Sequence, residues 1–142
     1  MNITWVLGFP TGKEKGSFLT IDLGGTNIRI CWITLTGEGS QVDQDKYKLS
    51  DELKKGSADD LWSFIADSLQ KFIESRKLKG DESNPLPLGF TFSYPVLQDY
   101  IDHGVLQTWT KGFDIKGCEG HDAGAQLREA MEKRVCAFFD IW

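Results

Sequence analysis

The sequence predicts an α/β domain that opens on three antiparallel strands, and three observations carry that prediction. Two apolar runs, residues 18–23 and 28–35, flank Gly24-Gly25-Thr26-Asn27, which is the spacing and turn chemistry of a hairpin. Apolar side chains then recur at helical spacing from Leu61 to Ile73. A further apolar run at residues 88–94 comes after that helix, and strands on both sides of a helix suit an α/β domain better than a sandwich or a bundle.

In the second run, Ile28, Ile30, Trp32 and Thr34 alternate with Arg29, Cys31, Ile33 and Leu35. Apolar residues fall on both faces, as in a strand covered on both sides. A third strand is expected over residues 45–49, after a polar loop at residues 37–44. Ser57 is placed to cap the helix, with Asp60 at capping-box spacing and Asp59 favouring the positive end of the helix dipole. Leu61, Phe64, Ile65, Leu69, Phe72 and Ile73 form its buried stripe, and Lys71, Glu74 and Arg76 are expected to face water. Residues 77–84 are a charged linker, and Pro85 and Pro87 restrict the backbone leading into the strand at residues 88–94. Residues 104–109 read as another strand and residues 125–134 as a second helix.

The chain has 142 residues, enough for one domain that buries about 68–70% of its unfolded surface. Hydrophobic residues make up 40% and charged residues 26%, ordinary globular usage that excludes a disordered chain. Twenty-one acidic residues against 16 basic ones give a net charge of -5, and without a basic run there is no footprint for nucleic acid. The longest apolar stretches, such as residues 135–139, fall far short of the roughly 20 residues that span a bilayer. Residues 1–10 lack the basic head of a secretory signal, so a cytoplasmic protein without membrane contact is expected. Cys31, Cys118 and Cys136 are odd in number and widely spaced, which suggests free thiols rather than disulfides or a zinc site.

Chemistry concentrates first at residues 21–27. Asp22 ends a strand with a carboxylate, Gly24 and Gly25 let backbone amides approach phosphate oxygens, Thr26 offers a hydroxyl, and Asn27 closes the turn. Such a turn suits a nucleotide's phosphates, with Asp22 holding magnesium through water. Gly24-Gly25 suits a plain tight hairpin equally well. His103 and His121 have no partners in the sequence that would make a triad or metal site, and both read as structural. Trp62 and Trp109 are expected to pack in the core or against a cleft, and Trp5 to cover an edge.

The strand-turn-strand at residues 18–35 resembles the first phosphate loop of the actin-like ATPase and sugar kinase superfamily. Leu88-Gly89-Phe90-Thr91-Phe92-Ser93-Tyr94-Pro95 narrows the choice, together with Gln98, Ile101-Asp102-His103-Gly104, residues 106–113 (Leu-Gln-Thr-Trp-Thr-Lys-Gly-Phe) and Glu119-Gly120-His121-Asp122. These strings resemble eukaryotic hexokinases, particularly the fungal type. The resemblance implies a ribonuclease H-like, actin-like ATPase small domain with a mixed sheet flanked by helices. It implies MgATP as co-substrate and a hexose phosphorylated at its 6-hydroxyl, with glucose, fructose and mannose as candidates. By the same resemblance Asp22, Gly24, Gly25, Thr26, Asn27 and Lys46 face the phosphates, and Ser93, Thr110 and Lys111 face the hexose. Lys46 also reads as an ordinary edge-strand lysine, and Arg29 as half of a structural ion pair. Ser93 also reads as a strand-end hydroxyl, and Thr110-Lys111 as a solvated turn.

In the family the proton acceptor is an aspartate in an Asn-Asp-Thr-Thr-Gly string, which these 142 residues do not contain. Asp140 lies near the expected place but reads as a solvated terminal charge. The resemblance covers residues 1–134, the family's small domain, while residues 135–142 depart from it; the start resembles an internal stretch of the family, and the large domain is not represented. The chain therefore reads as a truncated hexokinase, inactive alone. The alternative is a non-catalytic hexose-binding or regulatory fragment, including one that docks on a full-length hexokinase.

Overall fold

In the computed structural model, which describes residues 8–135 and 139–141 and omits the side chains of residues 140 and 141, the hairpin forms where its turn chemistry places it. Strands β1 (Lys15–Leu23) and β2 (Asn27–Thr36) pair antiparallel from Lys15 opposite Thr36 to Leu23 opposite Ile28. Strand β3 (Ser40–Lys48) adds antiparallel to β2 and starts five residues before the segment expected from sequence. The reason is physical: residues 40–44 are all exposed and, apart from Val42, polar, so their strand is held by ladder hydrogen bonds and leaves no burial pattern to read.

Helix α1 (Ala58–Arg76) begins on a full capping box, with the Ser57 side chain accepting from the Asp60 amide and the Asp60 carboxylate accepting from the Ser57 amide. Its buried face includes Leu61, Ile65, Leu69, Phe72 and Ile73, with Phe64 partly buried beside them. Arg76 departs from the expected solvent-facing role. Its guanidinium pairs with Asp43 at 2.8 Å and Asp45 at 2.7 Å on β3, and lies 4.0 Å over the Phe72 ring. The helix thereby fastens the exposed edge strand, and both aspartates are held below the ordinary carboxylate range by hydrogen bonds from that guanidinium.

Strand β4 (Leu86–Phe92) returns parallel to β1, with Leu19 opposite Leu88 and Leu23 opposite Phe92. A separate hairpin comes next, β5 (Val96–Tyr100) and β6 (His103–Leu106). The strand expected at residues 104–109 is thus shorter and shifted, because Trp109 sits in a loop where its indole donates to the Ile115 carbonyl at 3.0 Å. Helix α2 (Ala123–Arg134) starts two residues before the expected boundary, capped by the Asp122 carboxylate, which accepts from the amides of Gly124 and Gly104 at 3.0 Å. Strand β7 (Phe139–Ile141) pairs parallel with Leu86–Leu88 and completes the sheet order β3-β2-β1-β4-β7. The antiparallel first three strands and the mixed sheet agree with the expected architecture.

Leu19, Ile21, Leu23, Ile28, Ile30 and Leu88 from the sheet and Leu61, Ile65, Leu69 and Phe72 from α1 are fully shielded from solvent. Each such side chain contributes roughly 1.5–3 kcal/mol, more than the cap, so burial decides where α1 lies. Trp62 is 3% exposed and donates to Gln126 of α2 at 2.9 Å, which ties the two helices together. Cys31 and Cys118 are free and buried, and burial pushes the Cys118 thiol up to about 11. Trp5 and Cys136 lie outside the described residues.

Candidate functional site

The parallel pairing of β1 and β4 places their C-terminal ends side by side, with Leu23 against Phe92. In open α/β sheets ligands favour the region beyond the carboxyl ends of parallel strands. Two stretches with separate signals in the sequence leave the sheet here as neighbours: the turn at residues 24–27 and the Ser93-Tyr94-Pro95 string.

The turn is closed by the Gly24 amide, which donates to the Asn27 carbonyl at 3.1 Å, and tied to the end of β3 by the Leu49 amide, which donates to the Thr26 carbonyl at 3.0 Å. Gly25 lets the Lys111 side chain approach closely, since a Cβ there would lie 3.2 Å from Cβ and Cδ of Lys111, which would have to give by a few tenths of an ångström. Lys111 adopts a left-handed backbone at φ 57°, followed by Gly112 at φ 80°, a conformation that costs a lysine on the order of 1–2 kcal/mol. Contacts of its side chain accompany that strain. The ammonium donates to the Ser93 carbonyl at 2.6 Å and sits 4.8 Å over the Tyr94 ring.

Beneath these exposed residues is an aromatic floor. Tyr94 is 7% exposed and meets Trp109 edge-on at 4.8 Å, while Trp109 stacks on Phe113 at 5.1 Å. The Tyr94 hydroxyl donates to the Gly24 carbonyl at 3.2 Å, and burial raises its pKa, so it stays protonated. The loop carrying Thr110 and Lys111 is further held by Glu119, whose carboxylate accepts from the Trp109 amide at 2.7 Å, and by the Gln107 amide donating to the Pro95 carbonyl at 2.9 Å. Ser93, Thr110 and Lys111 thus stand exposed above these packed aromatic rings.

Asp22, Arg29 and Lys46 occupy one row across β1, β2 and β3. Arg29 lies 3.7 Å from Asp22, and both are about half exposed; such a pair contributes about 0–1 kcal/mol and leaves the carboxylate able to accept further hydrogen bonds. Lys46 is exposed at the end of the row. Among the described residues no cluster of three or more His, Cys, Asp or Glu is placed to hold a metal.

The structure therefore brings Gly24, Gly25, Ser93 and Lys111 into contact distance, with Thr110 adjacent in the chain, and keeps Asp22 and Lys46 on the neighbouring strands. A cavity of about 310 Å³ lies apart from these residues, between β4, the β5–β6 hairpin and the start of α2, lined by Phe90, Phe92, Gln98 and His103 among others. His121 contacts the Glu119 carbonyl at 3.0 Å, and His103 lies 3.8 Å from Asp99; both sit in loop and hairpin scaffolding. The contacts of Tyr94 and Glu119 were not foreseen. No residue pattern signals a hydroxyl-to-carbonyl bond between positions 94 and 24, and Glu119 stood out in the sequence only as part of a resemblance.

The hexokinase family model matches residues 1–141. The chain belongs to the hexokinase family. It is 55% identical to a hexokinase of Emericella nidulans over 136 residues, 94% of this chain and 28% of that relative. It is 50% identical to hexokinase-2 of Saccharomyces cerevisiae over 132 residues, 92% of this chain and 27% of that relative. Among solved structures, the hexokinase of Schistosoma mansoni complexed with glucose superposes with a TM-score of 0.83 at 35% identity, covering 96% of this chain and 31% of that one. The chain thus spans a little over a quarter of the length of the fungal relatives it matches. No described helix is long and apolar enough to cross a membrane.

Proposed function

We propose that these residues form the small-domain side, residues 1–134, of an ATP:hexose 6-phosphotransferase acting in the cytoplasm. One observation supports this reading above the others: the glycine turn at residues 24–27 and the Ser93 and Lys111 strings meet at a single edge of the sheet, with Lys111 against Gly25. Phosphoryl transfer needs the sugar hydroxyl and the γ-phosphate held in line, and this juxtaposition supports a reading in which the two proposed binding groups act side by side.

In this reading the turn formed by Gly24, Gly25, Thr26 and Asn27 faces the phosphates, with the Gly24 amide kept on the Asn27 carbonyl, and Lys46 adds a cation from the row on the sheet. Asp22 faces the magnesium ion through water. The ion arrives with the nucleotide as part of the co-substrate. Ser93 and Thr110 offer hydroxyls and Lys111 an ammonium to the hydroxyls of a hexose such as glucose, the ligand in the structure of the Schistosoma mansoni relative. Exposed polar groups on a rigid aromatic base are what sugar recognition requires. No residue of this chain is assigned as the proton acceptor.

Titration of the 142-residue polypeptide with glucose, followed by amide chemical shifts, tests the reading. Shifts at Ser93, Thr110 and Lys111 that saturate in the millimolar range and vanish in Lys111→Met are expected. No response at tens of millimolar sugar would sink the hexose assignment. With MgATP added, this polypeptide is expected to form no hexose 6-phosphate, and turnover by the purified chain would show that the proton acceptor is among these residues after all.

A further inference from the structure

The glycine turn and the lysine of the sugar-facing loop share one contact that neither sequence string announces, the side chain of Tyr94. We propose that Tyr94 is a positioning residue that couples the two halves of the site, so that a phosphate ligand at residues 24–27 tightens hexose binding at Lys111 and the reverse; this inference rests on the function proposed above.

The contacts close a circuit. Tyr94 donates its hydroxyl to the Gly24 carbonyl at 3.2 Å, its ring lies 4.8 Å from the Lys111 ammonium, and the Lys111 stem lies against Gly25, where an added Cβ would come within 3.2 Å. The same ammonium donates to the Ser93 carbonyl at 2.6 Å. Rotation of the Tyr94 ring is opposed by Phe92 at 5.0 Å, Trp109 at 4.8 Å and Phe113 at 5.3 Å. The floor thus sets where the hydroxyl lies, and the hydroxyl sets where the Gly24 carbonyl lies.

A hexose that engages Lys111 draws the ammonium away from Ser93 and repositions the stem against Gly25. A phosphate that orders the turn fixes the surface on which that stem rests. Each ligand therefore orders a part of what the other needs, and such coupling is reciprocal by thermodynamic necessity. Removing the hydroxyl alone releases the turn from the floor while the ring, its packing and its face toward Lys111 remain.

Tyr94→Phe tests this directly. Glucose affinity of the wild-type chain, measured by amide shifts with and without saturating magnesium pyrophosphate, is expected to rise about 5-fold with the phosphate ligand. In Tyr94→Phe that ratio falls to near one. A ratio that survives the substitution, or one that is unity in wild type, overturns the coupling. Hydrogen exchange supplies a readout free of ligand: the Gly24 amide, bonded to the Asn27 carbonyl, exchanges roughly 5-fold faster in Tyr94→Phe, about the factor carried by one neutral hydrogen bond, with Leu69 in α1 unchanged. Equal acceleration at both positions, or none at Gly24, likewise overturns it. If glucose fails to bind wild type, the hexose reading falls, and the exchange comparison still decides whether Tyr94 holds the turn.

Discussion

Beneath α1 the sheet presents Leu19, Ile21, Ile30 and Leu88 with no solvent exposure, whereas at its C-terminal edge Ser93, Thr110 and Lys111 stand in water. The first region is held by many nondirectional contacts, so a side chain there is replaceable by another of similar shape. The second is held by a few directional bonds, among them Lys111 to Ser93 and Tyr94 to Gly24. Stability and function should therefore separate by region: changes under α1 lower the folding free energy, and changes at the edge alter ligand binding in a chain that stays folded.

The largest expected effect breaks the first region. Phe72→Ala removes a fully shielded ring and is expected to cost about 3–5 kcal/mol in urea denaturation; a loss under about 1 kcal/mol would mean the core is not where α1 meets the sheet. Ser57→Ala dissolves the capping box and should cost about 1 kcal/mol, with Ser57→Gly milder. Gly25→Ala sharpens the contrast from the other side. Its Cβ meets the Lys111 stem, so glucose affinity should fall severalfold while stability changes by less than about 1 kcal/mol; an unaltered titration would separate Gly25 from the sugar site.

The smallest effect concerns pH. Hydrogen bonds from Arg76 lower the pKa of Asp43 and Asp45, so their contribution is complete above the unfolded carboxylate value near 4 and is lost as pH falls through the lower native values. Arg76→Met should therefore be less stable than wild type at neutral pH, and the difference in melting temperature should shrink below about pH 4. A gap that stays constant into acid would attribute the effect of Arg76 to its packing on Phe72 alone.

What the sequence disclosed divides along the same line. The α1 stripe and the β1–β2 hairpin were legible because burial imposes a period on apolar residues, and the period survives in one dimension. Strand β3 was legible only toward its end, where Tyr47 interrupts a polar run and Leu49 follows the strand. Of the β5–β6 hairpin only β6 is legible, as part of a strand expected at residues 104–109, since Gln98 and Asp99 interrupt the apolar pattern of β5 and the turn at residues 101–102 carries no glycine. Arg76 looked like a solvated charge, because its partners lie 31 and 33 residues away. The site residues were legible through family resemblance to hexokinases rather than through spacing. Their assembly at one edge was not, because it depends on β4 lying parallel to β1, and only the three-dimensional register makes residues 24 and 94 neighbours.

Cys118 offers a way to watch this edge. It lies in the segment between Phe113 and the cap of α2, it is 1% exposed, and its thiol is held up to about 11 by burial. A neutral, shielded thiol does not react with an alkylating reagent until the loop around it opens. In a Cys31→Ser, Cys136→Ser background, its alkylation rate becomes a clock for local opening behind the sugar-facing residues. Slowing of that clock by glucose would register occupancy of the site without any phosphate being transferred.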